Sequence, residues 1–189
     1  MGTQKKVILG IVGHPSCGKD TVAEYLVKKH GFVYASTSDA IRSYMKEYSM
    51  GEPLRERMAV VAHELRKREG GDVLVRLTLG LNKGVERIAV GGLRAVAEAQ
   101  ALRIAGGKII AITAPIEVRY ERARKRGRIG EESFERFRAN EERESANPDP
   151  NAPNVNAVIA LANITIENVG TREELFKNID DAVTPLLQD

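Results

Sequence analysis

Short apolar runs rich in β-branched residues alternate along the chain with longer stretches of helical spacing. Five runs stand out: Val7–Val12, Phe32–Ala35, Arg87–Val90, Lys108–Thr113 and Ile164–Glu167. Continuous runs of this length are typical of strands that are buried on both faces of a parallel sheet. Because strands that alternate with helices form βαβ units, the pattern predicts an α/β fold with helices on both faces of the sheet.

The stretches between the runs place apolar residues on one helical face. Three such sets occur: Val22, Ala23, Leu26 and Val27; Met58, Val61, Ala62 and Leu65; and Leu175, Phe176, Ile179, Ala182, Val183 and Leu186. The last set follows Thr171-Arg-Glu-Glu174, which has the capping-box pattern of a helix start. Pro185 is expected to end or kink that helix, because proline lacks an N–H group. Segment 145–154 carries three prolines and three asparagines, so we expect an exposed loop there.

Length and composition indicate a single folded domain. The 189 residues suffice for one domain with a sizeable core, which we expect to span residues 1–189. A hydrophobic fraction of 42 % excludes a disordered chain, and the single cysteine, Cys17, excludes a disulfide framework. The first apolar run is too short for a signal peptide or a membrane span. We therefore expect a cytoplasmic protein without a membrane partner.

The charge is nearly balanced overall but concentrated locally. The 29 basic and 26 acidic residues give a formal net charge of +3, which is too small to favour nucleic-acid binding on charge alone. From Arg119 to Arg128 there are five arginines and one lysine against one glutamate. Such a cluster suits a compact polyanion better than a long one, so we expect small-molecule partners and no nucleic acid.

The strongest motif follows the first predicted strand. Gly13-His-Pro-Ser-Cys-Gly18-Lys19 has the form G-x-x-x-x-G-K and lies between a strand and a helix, which is the context of a phosphate-binding loop. Glycines let backbone N–H groups point at phosphate oxygens, and the helix N-terminus adds a positive dipole end. The motif predicts binding of ATP. The expected ATP-binding residues are Gly13, His14, Ser16, Cys17, Gly18, Lys19, Asp20 and Thr21.

The residue after Lys19 departs from the usual motif. A serine or threonine normally stands there and ligates Mg²⁺ through its hydroxyl group, whereas this chain has Asp20 followed by Thr21. A carboxylate is also a competent Mg²⁺ ligand. We expect Asp20 to bind the metal directly or through water; the alternative is that it only stabilises the helix N-terminus electrostatically.

Four segments together resemble the nucleoside monophosphate kinase family: Gly13–Thr21, Ser38–Arg42, Gly91–Arg94 and Arg122–Arg126. The chain is most similar to archaeal adenylate-kinase-related proteins, dephospho-coenzyme A kinases and phage-type deoxynucleotide kinases. The resemblance implies a P-loop NTPase-type three-layer α/β/α fold with a five-stranded parallel sheet, and ATP and Mg²⁺ as cofactors. It also implies a helical acceptor-binding insertion at about 37–82 and an arginine-rich helical lid at about 119–155.

The resemblance assigns the acceptor to four residues. Arg42 and Arg94 would hold the acceptor phosphate, Asp39 would hold a ribose, a base or a hydroxyl group, and Ser38 would lie beside them. Asp39 and Arg42 are three residues apart and can share a helical face. The alternative is that these residues form a helix cap with a local ion pair.

One position departs from the family pattern. The third strand of the family usually ends in Asp-Gly-x-Arg, and this chain has Gly91-Gly92-Leu93-Arg94. The arginine is kept, but the aspartate that helps to position Mg²⁺ and its waters is missing. Either Asp20 supplies the lost carboxylate, or the protein is a poor catalyst or only a binder.

The arginine-rich segment is similar to the family's lid. Arg119, Arg122 and Arg126 follow i, i+3, i+7 spacing, which places them on one helical face. By resemblance, Arg122 stacks on the nucleotide base or contacts a phosphate, and Arg126 reaches the transferred phosphoryl group. Arg138 and Arg143 are the expected partners from the next helix, and Arg138 is expected to bind the substrate in addition to the four acceptor residues. For each arginine the alternative is a solvated charged helix. The expected catalytic residues are then Lys19, Arg94, Arg126 and Arg143.

The leading interpretation is an ATP-dependent phosphotransferase that acts on a nucleoside or deoxynucleoside monophosphate. One alternative is a dephospho-coenzyme A kinase-like enzyme, whose acceptor is a ribose hydroxyl group. Another is a nucleotide-binding regulatory module that has lost catalysis, motivated by Gly91. An ATPase acting on nucleic acid ranks last, because the sequence shows neither a clear second acidic motif nor a large basic face.

Overall fold

The computed structural model describes residues 6–127, 133–145 and 152–188. Its strands are β1 (Val7–Val12), β2 (Val33–Ser36), β3 (Arg87–Gly91), β4 (Lys108–Thr113) and β5 (Ile164–Glu167). Its helices are α1 (Lys19–His30), α2 (Thr37–Glu47), α3 (Arg55–Glu69), α4 (Val73–Leu81), α5 (Val96–Ile104), α6 (Ile116–Lys125), α7 (Phe134–Ser145), α8 (Val155–Ala160) and α9 (Arg172–Gln188). None of these helices combines the length and the apolar character that a membrane span requires.

The strands form one parallel sheet in the order β2-β3-β1-β4-β5. The predicted five-stranded parallel sheet is confirmed, with β2 displaced by one residue and β3 longer by one. β1 is buried along its whole length, and Leu9 lies opposite Ala89 of β3 and Lys108 of β4. The expectation that every strand is buried on both faces is wrong for β2 and β5. Each of them lies at an edge of the sheet, and part of each is exposed.

Two apolar clusters cover the opposite faces of the sheet. On one face, Leu9 and Ile11 pack with residues of α1 and α9. On the other face, Ile8 and Val12 pack with residues of α5 and α8. Since alternate residues of a strand point to opposite faces, β1 contributes to both clusters. The result is the expected three-layer α/β/α arrangement.

Helices α2, α3 and α4 lie between β2 and β3 in the chain and occupy the range predicted for the insertion. They enclose a third apolar cluster, formed by Ile41, Met45, Val61, Ala62, Leu65, Val73 and Leu74. The Thr37 hydroxyl group donates a 2.9 Å hydrogen bond to the carbonyl oxygen of Gly92. This bond fixes the start of α2 next to the carboxyl end of β3.

The last helix begins as predicted but does not end at its proline. The backbone N–H of Thr171 donates to the Glu174 carboxylate at 2.8 Å, and the N–H of Glu174 donates to the Thr171 hydroxyl at 3.2 Å, so the capping box is confirmed. The helix continues through Pro185 to Gln188. Leu186 and Leu187 pack against the core after the proline, and this packing offsets the lost backbone hydrogen bond.

Candidate functional site

The segment between β1 and α1 is wound into a tight turn. Ser16 has a φ of 59°, and Gly18, the N-cap of α1, has a φ of 109°; only glycine adopts such values without strain. A side chain at Gly13 would overlap the carbonyl oxygen of Ile112, and one at Gly18 would overlap the amide of Asn168. The turn therefore lies too close to β4 and to the residue after β5 for larger residues at positions 13 and 18.

This turn forms one wall of a cavity of about 210 Å³, the loop cavity. Its described lining residues are Ile11, Val12, Gly13, Pro15, Ser16, Gly18, Lys19, Asp20, Arg55, Gly92, Leu93, Arg94, Arg126 and Val155. Four of them are basic and one is acidic. Because the N-terminus of α1 also opens here, the cavity is suited to an anion.

Lys19 lies across the turn. Its Nζ donates hydrogen bonds to the carbonyl oxygens of Gly13 at 2.8 Å and His14 at 2.7 Å. Burial lowers the pKa of Lys19, and the positive charge of Arg94 acts in the same direction, while Asp20 opposes it. The ammonium group is thus held by the turn at the edge of the loop cavity, within reach of a bound anion.

Ser16 is the residue that best tests whether a phosphate group fits the turn. The residue is buried, and its Oγ has no hydrogen-bond partner among the described residues. Buried hydroxyl groups are normally paired. Because Ser16 lines the loop cavity, a phosphate oxygen in the cavity would supply the missing partner, and the turn therefore fits the phosphates of ATP.

Three other predicted residues of the turn are not among the described lining of the loop cavity. Cys17 is fully buried and fills space beneath the turn. His14 faces α7, with its Nδ1 3.5 Å from the Ser145 hydroxyl and 3.8 Å from Glu141, and burial lowers the pKa of His14. Thr21 is half-buried in the first turn of α1.

Asp20 is the acidic residue that the loop cavity offers to a metal ion. Its side chain is 70 % exposed, and its Oδ2 lies 3.9 Å from Nη1 of Arg126. The described residues contain no cluster of three or more His, Cys, Asp or Glu side chains able to hold a metal. Mg²⁺ is commonly held by one or two carboxylates together with substrate phosphates and water. This donor set therefore fits an Mg²⁺ ion that arrives with ATP.

A second and larger cavity, the insertion cavity, lies between the insertion helices and the end of β3. It has a volume of about 520 Å³. Its described lining residues are Thr37, Ser38, Ile41, Arg42, Pro53, Arg55, Met58, Ala59, Ala62, His63, Arg66, Leu74, Arg94, Ala152 and Pro153. It combines an apolar wall with several basic groups. The predicted acceptor residues Ser38, Arg42 and Arg94 are brought together here.

Asp39 has a local role that the sequence left open as an alternative. Ser36 is the N-cap of α2. Its hydroxyl group accepts a hydrogen bond from the N–H of Asp39, and the Asp39 carboxylate accepts one from the N–H of Ser36, which is a capping box. Nη1 of Arg42 donates to the same carboxylate at 2.7 Å. Asp39 is not among the described lining of the insertion cavity. Its carboxylate holds the helix start and orients Arg42.

Arg94 lies where the two cavities meet, since it lines both, as does Arg55. The backbone of Arg94 is fixed on both sides. Its N–H donates to the Glu98 carboxylate at 2.7 Å, and its carbonyl oxygen accepts a 2.7 Å hydrogen bond from the N–H of Asn154. These two bonds fix the backbone that carries the Arg94 side chain.

Glu98 is a supporting residue that sequence reasoning missed. Its side chain is fully buried and also accepts hydrogen bonds from the N–H of Ala95 at 3.1 Å and from Nη2 of Arg66 at 2.7 Å. It thus joins the loop that carries Arg94 to α3 of the insertion. Ala95 is the N-cap of α5, where a capping box normally has Ser or Thr. The sequence therefore lacks the capping-box pattern that would have pointed to Glu98.

We expect Glu98→Gln to destabilise the fold. The substitution removes the negative charge beside the buried Arg66 guanidinium, and breaking a buried pair costs about 3 kcal/mol or more. Urea unfolding measures the change, with Glu64→Gln on the exposed face of α3 as the control. A loss of less than about 1 kcal/mol, as for surface pairs, would contradict the bracing role.

Arg119 of α6 is buried and is not among the described residues that line the loop cavity. It forms a two-pronged ion pair with Glu141 of α7, and donates to the carbonyl oxygens of Ala114 at 2.8 Å and Pro15 at 3.4 Å. The sequence placed it on one face with Arg122 and Arg126. The burial could not be foreseen, because the neutralising glutamate lies on another helix.

Arg122 and Arg126 are the other two arginines of the predicted helical face. Nη2 of Arg122 donates to the carbonyl oxygen of Asn168 at 2.9 Å, while its Nη1 is buried without a partner among the described residues. Arg126 lines the loop cavity beside Asp20. Asn168 was not predicted; its side-chain amide donates to the carbonyl oxygen of Cys17 at 2.8 Å. It follows β5 directly, so it lies at the same edge of the sheet as the turn.

Arg138 of α7 is not brought to either cavity among the described lining residues. It is exposed and pairs with Glu142 at 2.9 Å. The side chain of Arg143 lies outside the described residues. The roles given to these two arginines therefore stay predictions.

Comparison with known sequences places the chain in a family. A family model described as an AAA domain matches residues 9–146, which include the turn, the insertion helices, α6 and α7. A UPF0200 protein of Methanosarcina mazei is 32 % identical over 187 residues, 96 % of each chain. The chain belongs to the AAA-domain and UPF0200 families. A UPF0200 protein of Pyrococcus horikoshii is 27 % identical over 192 residues, 97 % of this chain and 99 % of that relative.

Solved structures share the fold of this UPF0200 chain at low identity. TT1252 from Thermus thermophilus has a TM-score of 0.64 and 19 % identity, covering 96 % of this chain and 98 % of the other. The shikimate kinase from Acinetobacter baumannii in complex with shikimate has a TM-score of 0.57 and 17 % identity, covering 96 % and 95 %. The chain therefore has a P-loop kinase-like α/β/α fold, and the predicted fold class is confirmed.

Proposed function

We propose that the chain is an ATP-dependent phosphotransferase whose acceptor is a nucleoside or deoxynucleoside monophosphate. The observation that carries this proposal is the junction of the two cavities at Arg55 and Arg94. ATP phosphates over the turn and an acceptor among the insertion helices would meet at these two arginines. The small nucleotides are the proposed partners.

The residues of the two cavities supply what phosphoryl transfer requires. The reaction depends on alignment and charge stabilisation more than on covalent chemistry. In the proposed reaction, the turn and Lys19 bind the donor phosphates, while Arg42 and Arg94 hold the acceptor phosphate. Arg126, which lies beside the turn, stabilises the negative charge on the transferred group. Mg²⁺, bound to ATP and Asp20, would offset the charge of the phosphates.

A hydroxyl group is the second candidate acceptor, as in a dephospho-coenzyme A kinase-like reaction. The apolar wall of the insertion cavity, which includes Ile41, Met58 and Leu74, fits an acceptor that is not entirely charged. The shikimate kinase that shares the fold was solved with shikimate bound. A regulatory module without catalysis is the third candidate, and Gly91 motivates it.

An ADP-release assay over a panel of acceptors tests the proposal. The panel contains nucleoside and deoxynucleoside monophosphates, dephospho-coenzyme A and shikimate, each with and without Mg²⁺. We expect release of ADP that depends on one monophosphate and on Mg²⁺. Release with dephospho-coenzyme A or shikimate alone would favour the hydroxyl acceptor, and release without any acceptor would indicate an ATPase. ATP binding without any release would favour the regulatory module.

A further inference from the structure

Tyr34 occupies the space beside Gly91 at the end of β3. A Cβ atom at Gly91 would overlap the Tyr34 hydroxyl oxygen and would lie 2.8 Å from Cζ and 2.9 Å from Cε2 of the ring. Gly91 does not have a positive φ, so the backbone does not require glycine there. The end of the Tyr34 ring fills the space that a side chain at position 91 would take.

Tyr34 and Gly91 lie on the face of the sheet that packs against α1. Tyr34 pairs with Ala89 in the register of β2 and β3, and Ala89 belongs to the apolar cluster that includes Val22 of α1. Since alternate residues of a strand share a face, Gly91 lies on the α1 side of the sheet. Asp20 stands in the first turn of that helix.

Two carboxylates act on the hydroxyl electrostatically. Burial raises the pKa of Tyr34, and the negative charges of Asp20 and Asp39 raise it further. The phenol therefore keeps its proton at neutral pH and can donate a hydrogen bond. Tyr34 remains 40 % exposed, so water can reach its side chain.

We propose that Tyr34 is a positioning residue for magnesium-bound ATP. Its hydroxyl group occupies the space of the side chain that Gly91 lacks, and from there it holds a water molecule that is bound to the Mg²⁺ ion. In this proposal Asp20 supplies the negative charge near the ion, and Tyr34 supplies a neutral hydrogen-bonding group. This inference rests on the proposed binding of ATP by the turn. It assigns a role to a residue of the edge strand β2 that no motif marks.

The test measures how much Mg²⁺ strengthens ATP binding, by calorimetry on the full chain with Mg²⁺ or with a chelator. Tyr34→Phe keeps the ring and removes the hydroxyl. We expect it to lower the gain in affinity from Mg²⁺ about fivefold, the effect of one hydrogen bond, and to leave binding in chelator unchanged. Tyr48→Phe, on an exposed tyrosine of the insertion, is the matched control and should retain the whole gain.

Two further variants test whether Tyr34 fills the space of a side chain at position 91. Gly91→Asp alone should lower the melting temperature, because its side chain meets Tyr34. Tyr34→Ala combined with Gly91→Asp has room for the carboxylate and should recover both the melting temperature and the Mg²⁺-dependent gain. The melting temperatures of the single and double variants are measured by a thermal scan without ATP, so this result does not depend on ATP binding.

The outcomes separate this inference from the proposed function. An unchanged gain in Tyr34→Phe overturns the inference, and so does a loss that the double variant does not recover. Wild-type binding of magnesium-bound ATP without transfer to any acceptor overturns the proposed function but leaves the inference in place. If the wild-type chain binds no ATP, both are overturned.

Discussion

Replacing Lys19 with alanine is expected to lower the rate of phosphoryl transfer by at least about 100-fold, the usual effect of removing a preorganised electrostatic group. ATP binding should weaken about 10-fold or more, because hydrogen bonds to charged groups contribute about 1.5–3 kcal/mol. The ammonium group spans the turn through the carbonyl oxygens of Gly13 and His14. It is therefore already placed at the edge of the loop cavity before ATP binds. The ADP-release assay and calorimetry measure the two effects.

Lys28→Ala is the matched control for this variant. Lys28 is an exposed lysine in the last turn of the same helix, far along α1 from the turn. It should leave both transfer and ATP binding unchanged, and thermal unfolding should show that the Lys19 variant remains folded. Transfer by Lys19→Ala at the rate of the control would contradict the assignment of the donor site.

Replacing Arg94 with alanine is expected to raise the KM for the acceptor by about 10- to 100-fold, because a charge-assisted contact to a phosphate is lost. The kcat should fall as well, since Arg94 lies where the two cavities meet. The affinity for ATP should change far less, because Lys19 and the turn remain. Steady-state kinetics with varied acceptor, together with calorimetry for ATP, measure this difference.

Arg103→Ala tests whether the effect belongs to Arg94 and not to the loss of any arginine from this region. Arg103 is exposed in the last turn of α5, the helix that follows Arg94. This control should behave as the wild type. If Arg94→Ala weakened ATP binding as much as acceptor binding, the division into donor and acceptor cavities would be wrong.

The features that sequence analysis predicted are those that depend on neighbours in the chain. The run Val7–Val12 followed by the glycine-rich turn is visible because strand, turn and helix are consecutive. The capping box at Thr171 and the pair of Asp39 and Arg42 are also local. For Asp39, the sequence allowed both a substrate contact and a local cap, and the structure shows the cap.

The features that sequence analysis missed depend on residues that the sheet brings together. Asn168 reaches the turn because β5 and β1 end at the same edge, and Glu98 of α5 reaches Arg66 of α3, which lies 32 positions away in the chain. The sequence shows that Gly91 stands in place of an aspartate. It does not show that Tyr34 lies beside Gly91, because Tyr34 belongs to a different strand. Register and packing decide such contacts, and spacing along the chain does not encode them.

Calorimetric titration of the full chain with ATP in the presence of Mg²⁺ tests the central claim most directly, which is that residues 13–21 bind the phosphates of ATP. The account predicts one binding site per chain, weakened in Lys19→Ala and unchanged in Lys28→Ala. If the folded wild-type chain showed no ATP binding, or bound ATP equally well without the Lys19 ammonium group, the claim would be contradicted.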